Sequence, residues 1–368
     1  MNRSLPMLAL TALLALTASA CTAGSAAETS TNPFAVDIDP MSAAGVGAGT
    51  PDLLTEIIDR GQLRCGVNDA NPGFGQEQSG SFSGFDIDYC RALAAAVFDD
   101  PDAVAFVPLS SDVRFSALQT GEVDVLIRNT TFTASRAGTE GAAFGPTTFY
   151  DGQGVLVADD SAFESLNDMA GATMCVLSNT TTLANMETVN AARGLGLDIQ
   201  TFADDDTLQA SFVAGTCDGW TSDKSSLAGR RSTYPAGPEQ VRILPDTLSK
   251  EPLGPAIRSG DPQWANAVDW TVYAIIQAAE FGITSDNLAQ FLSTDDPDIA
   301  RFLGVGESAE FDPGLGLPVD FAQRVVGAVG NYYEIYGRHV GPDTPLGLEA
   351  VENRLWTDGG LLYAPPYR

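Results

Sequence analysis

One short pattern occurs twice in this chain and constrains its architecture more than any other feature. In the first copy a helical stretch ends at Gly121, and Asp124 follows three residues later beside an apolar strand. In the second copy Gly215 and Asp218 hold the same positions. A helix that ends at glycine is common, so one copy alone would mean little. Two copies, each followed by polar residues, indicate a duplicated α/β plan over residues 51–150 and 151–250.

Apolar segments around this pattern predict alternating strands and helices. The strands predicted in the first half are 63–67, 104–108 and 123–127, with helices at 51–60, 85–98 and 112–118. The second half repeats the alternation, with strands at 173–177 and 198–202, a helix at 180–192 and a third strand after Asp218. Strands that alternate with helices in this way favour parallel βαβ units.

This order of segments predicts an α/β fold with two lobes, each a mainly parallel sheet flanked by helices. Lobe I is expected to comprise residues 51–150 and 251–368, the latter including a C-terminal helical extension, and lobe II residues 151–250. The chain would then cross between the lobes twice. These two hinge crossings are expected near 149–152 and 250–253.

The N-terminus has the pattern of an export signal. Residues 1–20 contain Arg3, an apolar run over 5–16 and then small residues, which predicts a signal peptide. The apolar run is too short to span a bilayer. Cys21 follows directly and resembles the lipid-modified cysteine of bacterial lipoproteins, although Ala18 stands where that pattern favours leucine. We expect lipidation of Cys21 and a flexible linker over 21–50; the alternative is ordinary cleavage that leaves a free thiol.

Four further cysteines suit an oxidising compartment. They are Cys65, Cys90, Cys175 and Cys217, and an even number in an exported chain predicts two disulfides. Sequence alone permits three pairings or four buried free thiols. We prefer Cys65–Cys90 and Cys175–Cys217, because each pair then lies within one predicted lobe. No C-x-x-C pair is present and His339 is the only histidine, so we expect no metal site.

The charge and the motifs of the chain restrict its function. The net charge is −29, and Lys224 and Lys250 are the only lysines, which disfavours binding to nucleic acid. The chain has no nucleophile elbow, P-loop or dinucleotide-binding glycine pattern. We therefore expect neither a cofactor nor catalysis.

Polar residues follow the predicted strands of both lobes. In open parallel sheets ligands bind beyond the carboxyl ends of the strands, and two lobes can bring those ends together across a cleft. This set offers a guanidinium, a carboxylate, hydroxyls and a helix N-terminus, the mixture that a zwitterion needs. Its members are Asn68, Asp69, Arg128, Asn129, Thr130 and Thr131 in lobe I, and Ser178–Thr181 and Asp223 in lobe II.

From Leu53 to Arg368 the chain resembles the general L-amino-acid-binding proteins of polar amino acid ABC transporters, in the type II periplasmic solute-binding superfamily. The segments that carry the resemblance are Leu63-Arg-Cys-Gly-Val, Ser83-Gly-Phe-Asp-Ile-Asp-Tyr-Cys-Arg-Ala, Arg128-Asn-Thr-Thr-Phe-Thr, Phe149-Tyr-Asp-Gly-Gln-Gly, Ser249-Lys-Glu-Pro-Leu-Gly-Pro and Tyr363-Ala-Pro-Pro-Tyr-Arg. The resemblance implies a monomer that captures amino acids of many kinds and delivers them to the permease subunits of an importer. An amino-acid sensor for a signalling partner and a dehydratase on the same fold are the alternatives.

The resemblance also implies roles for individual residues. Arg136, with Asn129 and Thr131 beside it, is expected to hold the ligand carboxylate, together with the helix amide near Thr181. Asp223 is expected to bind the ammonium group.

Phe74 is expected to cover the ligand. Arg136, Asp223 and Phe74 each also have a purely structural interpretation. Arg136 could be a solvated helix residue, Asp223 a helix cap, and Phe74 a packing residue of its loop. Arg114 and Arg128 could contact an acidic ligand side chain, but pairing with surface carboxylates is the preferred interpretation for both.

Overall fold

The structure, a computed structural model, describes residues 52–368; the predicted signal peptide, Cys21 and the linker lie outside the described residues. The helices are α1 Leu53–Arg60, α2 Phe85–Phe98, α3 Arg114–Thr120, α4 Ala134–Gly138, α5 Thr181–Arg193, α6 Asp205–Val213, α7 Lys224–Ser232, α8 Pro262–Glu280, α9 Leu288–Phe291, α10 Pro297–Leu303, α11 Phe321–Val329 and α12 Tyr332–His339. Single 3-10 turns occur at Leu166–Met169, Pro238–Gln240, Gly306–Glu310 and Trp356–Asp358.

The strands form two large sheets and two small ones. They are β1 Leu63–Val67, β2 Ala70–Asn71, β3 Gly75–Gln78, β4 Ser81–Ser83, β5 Val104–Pro108, β6 Val125–Leu126, β7 Ala142–Phe144, β8 Phe149–Asp151, β9 Gln153–Ala158, β10 Thr173–Leu177, β11 Asp198–Phe202, β12 Gly219–Asp223, β13 Val241–Ile243, β14 Glu251–Leu253 and β15 Ala256–Arg258.

The two large sheets have the same architecture. Their orders are β5-β1-β6-β15-β7 and β11-β10-β12-β9-β13. In both, the first three strands are parallel, the fourth is antiparallel to the third, and the fifth is antiparallel to the fourth. Four of the five strands therefore run in one direction, which confirms the predicted α/β fold. We call the parts built on the first and second sheets lobe I and lobe II.

The repeated aspartate makes the same contacts in both lobes. The Asp124 carboxylate accepts the N–H of Arg64 at 2.8 Å, and the Asp218 carboxylate accepts the N–H of Thr173 at 2.8 Å. The backbone N–H of each aspartate also donates to the carbonyl of the same strand residue, at 2.9 Å in both cases. Asp124 thus holds the segment before β6 against β1, and Asp218 holds the segment before β12 against β10. These equivalent contacts explain why the sequence pattern occurs twice.

Several element ends differ slightly from the prediction. Helix α1 begins at Leu53 rather than at residue 51, because the Asp52 side chain caps it by accepting the N–H of Thr55 at 2.8 Å. Helix α3 starts two residues later than predicted, at Arg114, and is capped at its C-terminus by Gly121, whose φ of 76° is a left-handed conformation typical of helix ends. Strand β6 is shorter than predicted and covers only Val125–Leu126.

Two short antiparallel strands lie where the hinge crossings were expected. Strand β8 pairs with β14, and the register places Phe149 opposite Leu253 and Asp151 opposite Glu251. Strand β8 leads from lobe I into β9 of the lobe II sheet, and β14 leads back to β15 of the lobe I sheet. The two segments that join the sheets are therefore hydrogen-bonded to each other.

The hydrophobic core of lobe I includes the C-terminal extension. Tyr332 and Tyr336 of α12 and Leu362 near the chain end belong to the same buried cluster as β1 and α2. Lobe II has two smaller clusters, one on each face of its sheet: Val155 faces one and Leu156 faces the other, as the alternation of side chains along a strand requires.

Both disulfides of the preferred pairing are present. Cys65–Cys90 joins β1 to α2, with a Cα–Cα distance of 6.1 Å, and Cys175–Cys217 joins β10 to the segment before β12, at 5.8 Å. In the part of the chain from residue 52 onward, no helix is long and apolar enough to cross a membrane.

Candidate ligand-binding cleft

A cavity lies between the two lobes, at the carboxyl ends of their parallel strands. Its walls follow β1 and β6 in lobe I and β10 and β12 in lobe II, as the general rule for such sheets predicts. The lining residues are Asn68, Asn71, Arg114, Arg128, Asn129, Thr131, Arg136, Leu177, Thr180, Thr181, Thr182, Asp205, Ser222, Asp223 and Ser226. All of the predicted ligand contacts except Phe74 are therefore brought together here.

Arg136 is directed into the molecule rather than into solvent. It lies in α4, whose N-terminus is capped by Thr133, and it is 7% exposed. One guanidinium nitrogen, Nη1, donates to the carbonyl of Thr131 at 2.7 Å, and the group lies 5.3 Å from the centre of the Phe115 ring. Burial lowers the pKa of Arg136 from its usual value, while the charge of Glu251 raises it. The interpretation of Arg136 as a solvated helix residue is therefore wrong.

Asp223 occupies the cap position of α7, but its carboxylate makes no capping hydrogen bond within the described chain. The N–H of Ser225 instead donates to Asp151 at 3.2 Å. Asp223 is 7% exposed, and burial, followed by the charges of Asp151 and Glu251, raises its pKa well above the usual aspartate value. The helix-cap alternative does not describe this carboxylate, which lines the cavity.

Arg114 and Arg128 are also buried in the cavity wall, at 3% and 7% exposure. Arg114 Nη2 donates to the carbonyl of Asn179 at 3.3 Å, and Arg128 Nε donates to the carbonyl of Leu109 at 2.5 Å. Arg114 Nε has no hydrogen-bond partner among residues 52–368, and neither arginine is exposed at the protein surface. The preferred interpretation, pairing with surface carboxylates, is thus wrong for both.

The N-terminus of α5 forms the lobe II wall of the cavity. Thr180 caps this helix by accepting the N–H of Leu183 at 3.1 Å, and Thr181 is its first residue. The residue before the cap, Asn179, has a φ of 53°, a left-handed conformation that asparagine tolerates better than most residues. Asn179 therefore forms the left-handed turn that leads into the cap of α5.

Three residues that sequence analysis did not single out also shape the cleft. Asn71 Nδ2 donates to Asn129 Oδ1 at 2.9 Å and to Ser226 Oγ of the opposite lobe at 3.1 Å. The carboxylate of Glu251, on the connecting strand β14, accepts hydrogen bonds from the hydroxyls of Thr131 and Thr181. Asn71 and Ser226 carry no distinctive sequence signal, and Glu251 was noted only as part of a hinge segment.

Phe74 does not cover the cleft. It is fully buried, and its ring packs against Phe85 at 5.7 Å and Phe149 at 5.1 Å between ring centres. The loop that carries it folds back onto the core of lobe I, so the packing alternative is the correct one. The aromatic ring beside the cleft is that of Phe115, which lies 5.3 Å from the guanidinium groups of both Arg114 and Arg136.

Two similar α/β lobes, two connecting strands and a buried, charged cavity between the lobes together define a solute-binding protein. Comparison with known families agrees: residues 63–286 match the family of bacterial extracellular solute-binding proteins, family 3. The chain belongs to this family, which confirms the resemblance found in the sequence.

Individual relatives are similar over most of their length. The general L-amino acid-binding periplasmic protein AapJ of Rhizobium johnstonii is 42% identical over 327 residues, 89% of this chain and 96% of the relative. The glutamate/glutamine/aspartate/asparagine-binding protein BztA of Rhodobacter capsulatus is 42% identical over 330 residues, 89% of this chain and 97% of the relative.

A solved structure is also similar. The ABC transporter/periplasmic binding protein from Brucella ovis with glutathione bound has a TM-score of 0.84 and 41% sequence identity, covering 87% of this chain and 100% of that one. All three of these proteins are described as binding proteins.

Proposed function

We propose that the protein captures free L-amino acids in the cleft between its lobes and delivers them, chemically unchanged, to an ABC importer. The observation that carries this proposal is that Arg136 and Asp223 are both buried in the same cavity. Buried charges are costly unless they are compensated. A zwitterion compensates both, since its carboxylate suits the guanidinium and its ammonium suits the aspartate.

The orientation of the ligand follows from the electrostatics of the cleft. The α-carboxylate lies towards Arg136 and the N-terminus of α5, where helix amides favour an anion. The ammonium lies towards Asp223, beside the charges of Asp151 and Glu251. The ligand side chain then faces Arg114 and Arg128, and the unpaired Arg114 Nε favours side chains with an oxygen acceptor.

The relatives support a ligand of this class. AapJ is described as a general L-amino acid-binding protein, and BztA as a binder of glutamate, glutamine, aspartate and asparagine. The Brucella protein is described as an ABC transporter binding protein, which supports delivery to permease subunits. Export, with a lipid anchor at Cys21, would place the monomeric protein at the membrane surface where such an importer is found.

Capture requires the lobes to open and close, and we assign that motion to the strands β8 and β14 that join them. A ligand held by Arg136 in lobe I and by Asp223 in lobe II would shift the population towards the closed arrangement.

Thermal-shift screening of the purified protein tests the proposal, with the common L-amino acids, L-alaninamide and N-acetyl-L-alanine as probes. We expect several free amino acids to raise the melting temperature and both blocked analogues to fail. Stabilisation by neither amino acids nor related small molecules would contradict amino-acid capture. Recovery of the unchanged amino acid after long incubation, checked by mass spectrometry, is the expected result for a binder.

A further inference from the structure

The C-terminal extension is hydrogen-bonded to the first connecting strand, β8. Asn353 is 4% exposed; its Oδ1 accepts the N–H of Tyr150 at 2.7 Å, and its Nδ2 donates to the carbonyl of Tyr150 at 3.0 Å. The hydroxyl of the buried Tyr332 donates to the carbonyl of Thr148 at 3.1 Å. Both side chains follow residue 286, where the match to the family ends. Asn353 thus satisfies both backbone groups of Tyr150, as a neighbouring strand would.

The residue after the next is held by the other lobe. The N–H of Lys224, the first residue of α7, donates to the carbonyl of Gly152 at 2.8 Å. A Cβ atom placed on Gly152 would lie 2.6 Å from Cγ2 of Thr247, so this glycine is packed closely against lobe II. The chain is therefore fixed to lobe I as far as Tyr150 and to lobe II from Gly152 onward. Asp151 is the single residue between these two points.

The second crossing is also held by lobe I. The N–H of Phe132 donates to the carbonyl of Pro252 in β14 at 2.9 Å, and Thr131 forms an antiparallel bridge with Leu253. The ring of Pro252 fixes its own φ. Rotation of lobe II on this crossing therefore takes place before Pro252, beside Asp151 on the paired strand.

We infer that the C-terminal extension clamps β8 to lobe I, so that the first crossing bends at Asp151 alone, and that Asn353 is the positioning residue of this clamp. The inference rests on the proposed function, because it concerns the motion by which the lobes close on a ligand. A pivot of one residue limits the orientations that lobe II reaches in the ligand-free protein. Fewer orientations reduce the conformational entropy lost on closing, and binding becomes tighter.

Asn353→Ala tests the inference, and Asn331→Ala is the matched control. Asn331 belongs to the same extension and is also 4% exposed. Its Oδ1 accepts the N–H of Glu334 at 3.1 Å, and its Nδ2 donates to the carbonyl of Ile283 at 2.8 Å. Each substitution therefore removes one hydrogen bond to a backbone N–H and one to a backbone carbonyl. Of these two asparagines, Asn353 is the one that bonds to β8.

Two measurements separate a clamp from a purely structural role. Small-angle X-ray scattering of the ligand-free proteins should give Asn353→Ala a larger radius of gyration than the wild type and Asn331→Ala. In calorimetric titration with L-alanine, Asn353→Ala should bind about fivefold more weakly or worse, the effect of ordering one additional backbone residue on closing. The affinity of Asn331→Ala should stay within twofold of the wild type.

Equal radii of gyration for the two variants would overturn the inference. Equal losses of affinity in both would do the same, because the extension would then serve the fold alone. A larger radius of gyration with wild-type affinity in Asn353→Ala would refute the effect on binding.

Tyr332→Phe provides a second test that does not depend on the folding of Asn353→Ala. It removes the hydroxyl that donates to Thr148 and keeps the ring in the core. We expect a smaller increase in the radius of gyration in the same direction, and no increase would contradict the clamp. Scattering is measured without ligand, so a wild type that binds no amino acid would refute the proposed function and leave the test of the clamp intact.

Discussion

Gly229 of α7 lies directly against the backbone of Pro72 across the cleft. A Cβ atom placed on Gly229 would lie 2.6 Å from the Pro72 carbonyl oxygen, closer than non-bonded atoms approach. The two residues belong to opposite lobes, so the absence of a side chain at Gly229 permits the lobes to meet. This contact makes the closed arrangement separately testable.

Gly229→Ala should weaken ligand binding without unfolding either lobe. Overpacking of this kind costs roughly 1–3 kcal/mol, and a penalty on the closed form alone lowers the affinity by about fivefold to 150-fold. Calorimetric titration measures this change in affinity, with the amino acid that raises the melting temperature most in the thermal-shift screen as the ligand. Gly337→Ala is the control, since that helical glycine has no neighbour within 4 Å of an added Cβ. Equal affinities for the two variants would show that closure does not need this contact.

The fold was largely predictable because it depends on local patterns that occur twice. Gly121 with Asp124, and Gly215 with Asp218, mark the connection that fixes the third parallel strand to the first. The family resemblance, rather than the strand pattern, pointed to Arg136, and this residue lines the cavity between the lobes.

The rest of the site depends on contacts between distant parts of the sequence. Glu251 is 120 residues from Thr131 and 70 from Thr181, so no local pattern could assign it to them. The prediction that Phe74 covers the ligand was wrong. The rings that bury Phe74 are Phe85 of α2 and Phe149 of the connecting strand β8, and the local sequence around Phe74 does not reveal these contacts.

Binding should weaken as the pH falls, and at a higher pH than an ordinary aspartate would predict. An ammonium ligand needs Asp223 ionised, and burial raises the pKa of this group well above its usual value. Protons therefore compete with the ligand in mildly acidic solution. Calorimetric titrations between pH 5 and 8 should show the loss for the wild type, while Asp223→Asn should bind weakly with a flatter pH dependence. An affinity independent of pH in the wild type would contradict the role of Asp223.

Asp86 should make the protein less stable as the pH rises. Burial raises the pKa of its carboxyl to about 7, whereas its unfolded value is the model-peptide value of 3.8. Between these values the folded state keeps a proton that the unfolded state has released, so the free energy of unfolding falls as the pH increases. Each unit of pKa difference corresponds to about 1.4 kcal/mol.

Asp86→Asn should remove this dependence, because the amide oxygen can still accept the Asn129 N–H that Asp86 accepts at 2.8 Å. Urea unfolding should find the variant more stable than the wild type at pH 8, with a smaller difference at pH 5. A larger advantage at pH 5 than at pH 8 would contradict the raised pKa.

The disulfide Cys175–Cys217 should contribute strongly to the stability of lobe II. It closes a loop with a sequence separation of 42 residues, for which the chain-entropy estimate is about 4 kcal/mol. The Cys175→Ala/Cys217→Ala double variant should lose a comparable free energy of unfolding in urea. Mass spectrometry of the non-reduced protein provides an independent check, and four free thiols among these cysteines would refute both bridges.

Calorimetric titration of L-alanine into the wild type and Arg136→Ala tests amino-acid capture most directly. Arg193→Ala, at an exposed position on α5, is the control. We predict one ligand per chain for the wild type and the control. We also predict a loss of at least about thirtyfold for Arg136→Ala, because truncating one partner of a buried charge pair costs 2 kcal/mol or more. Unchanged affinity in Arg136→Ala would contradict recognition of the ligand carboxylate in this cleft.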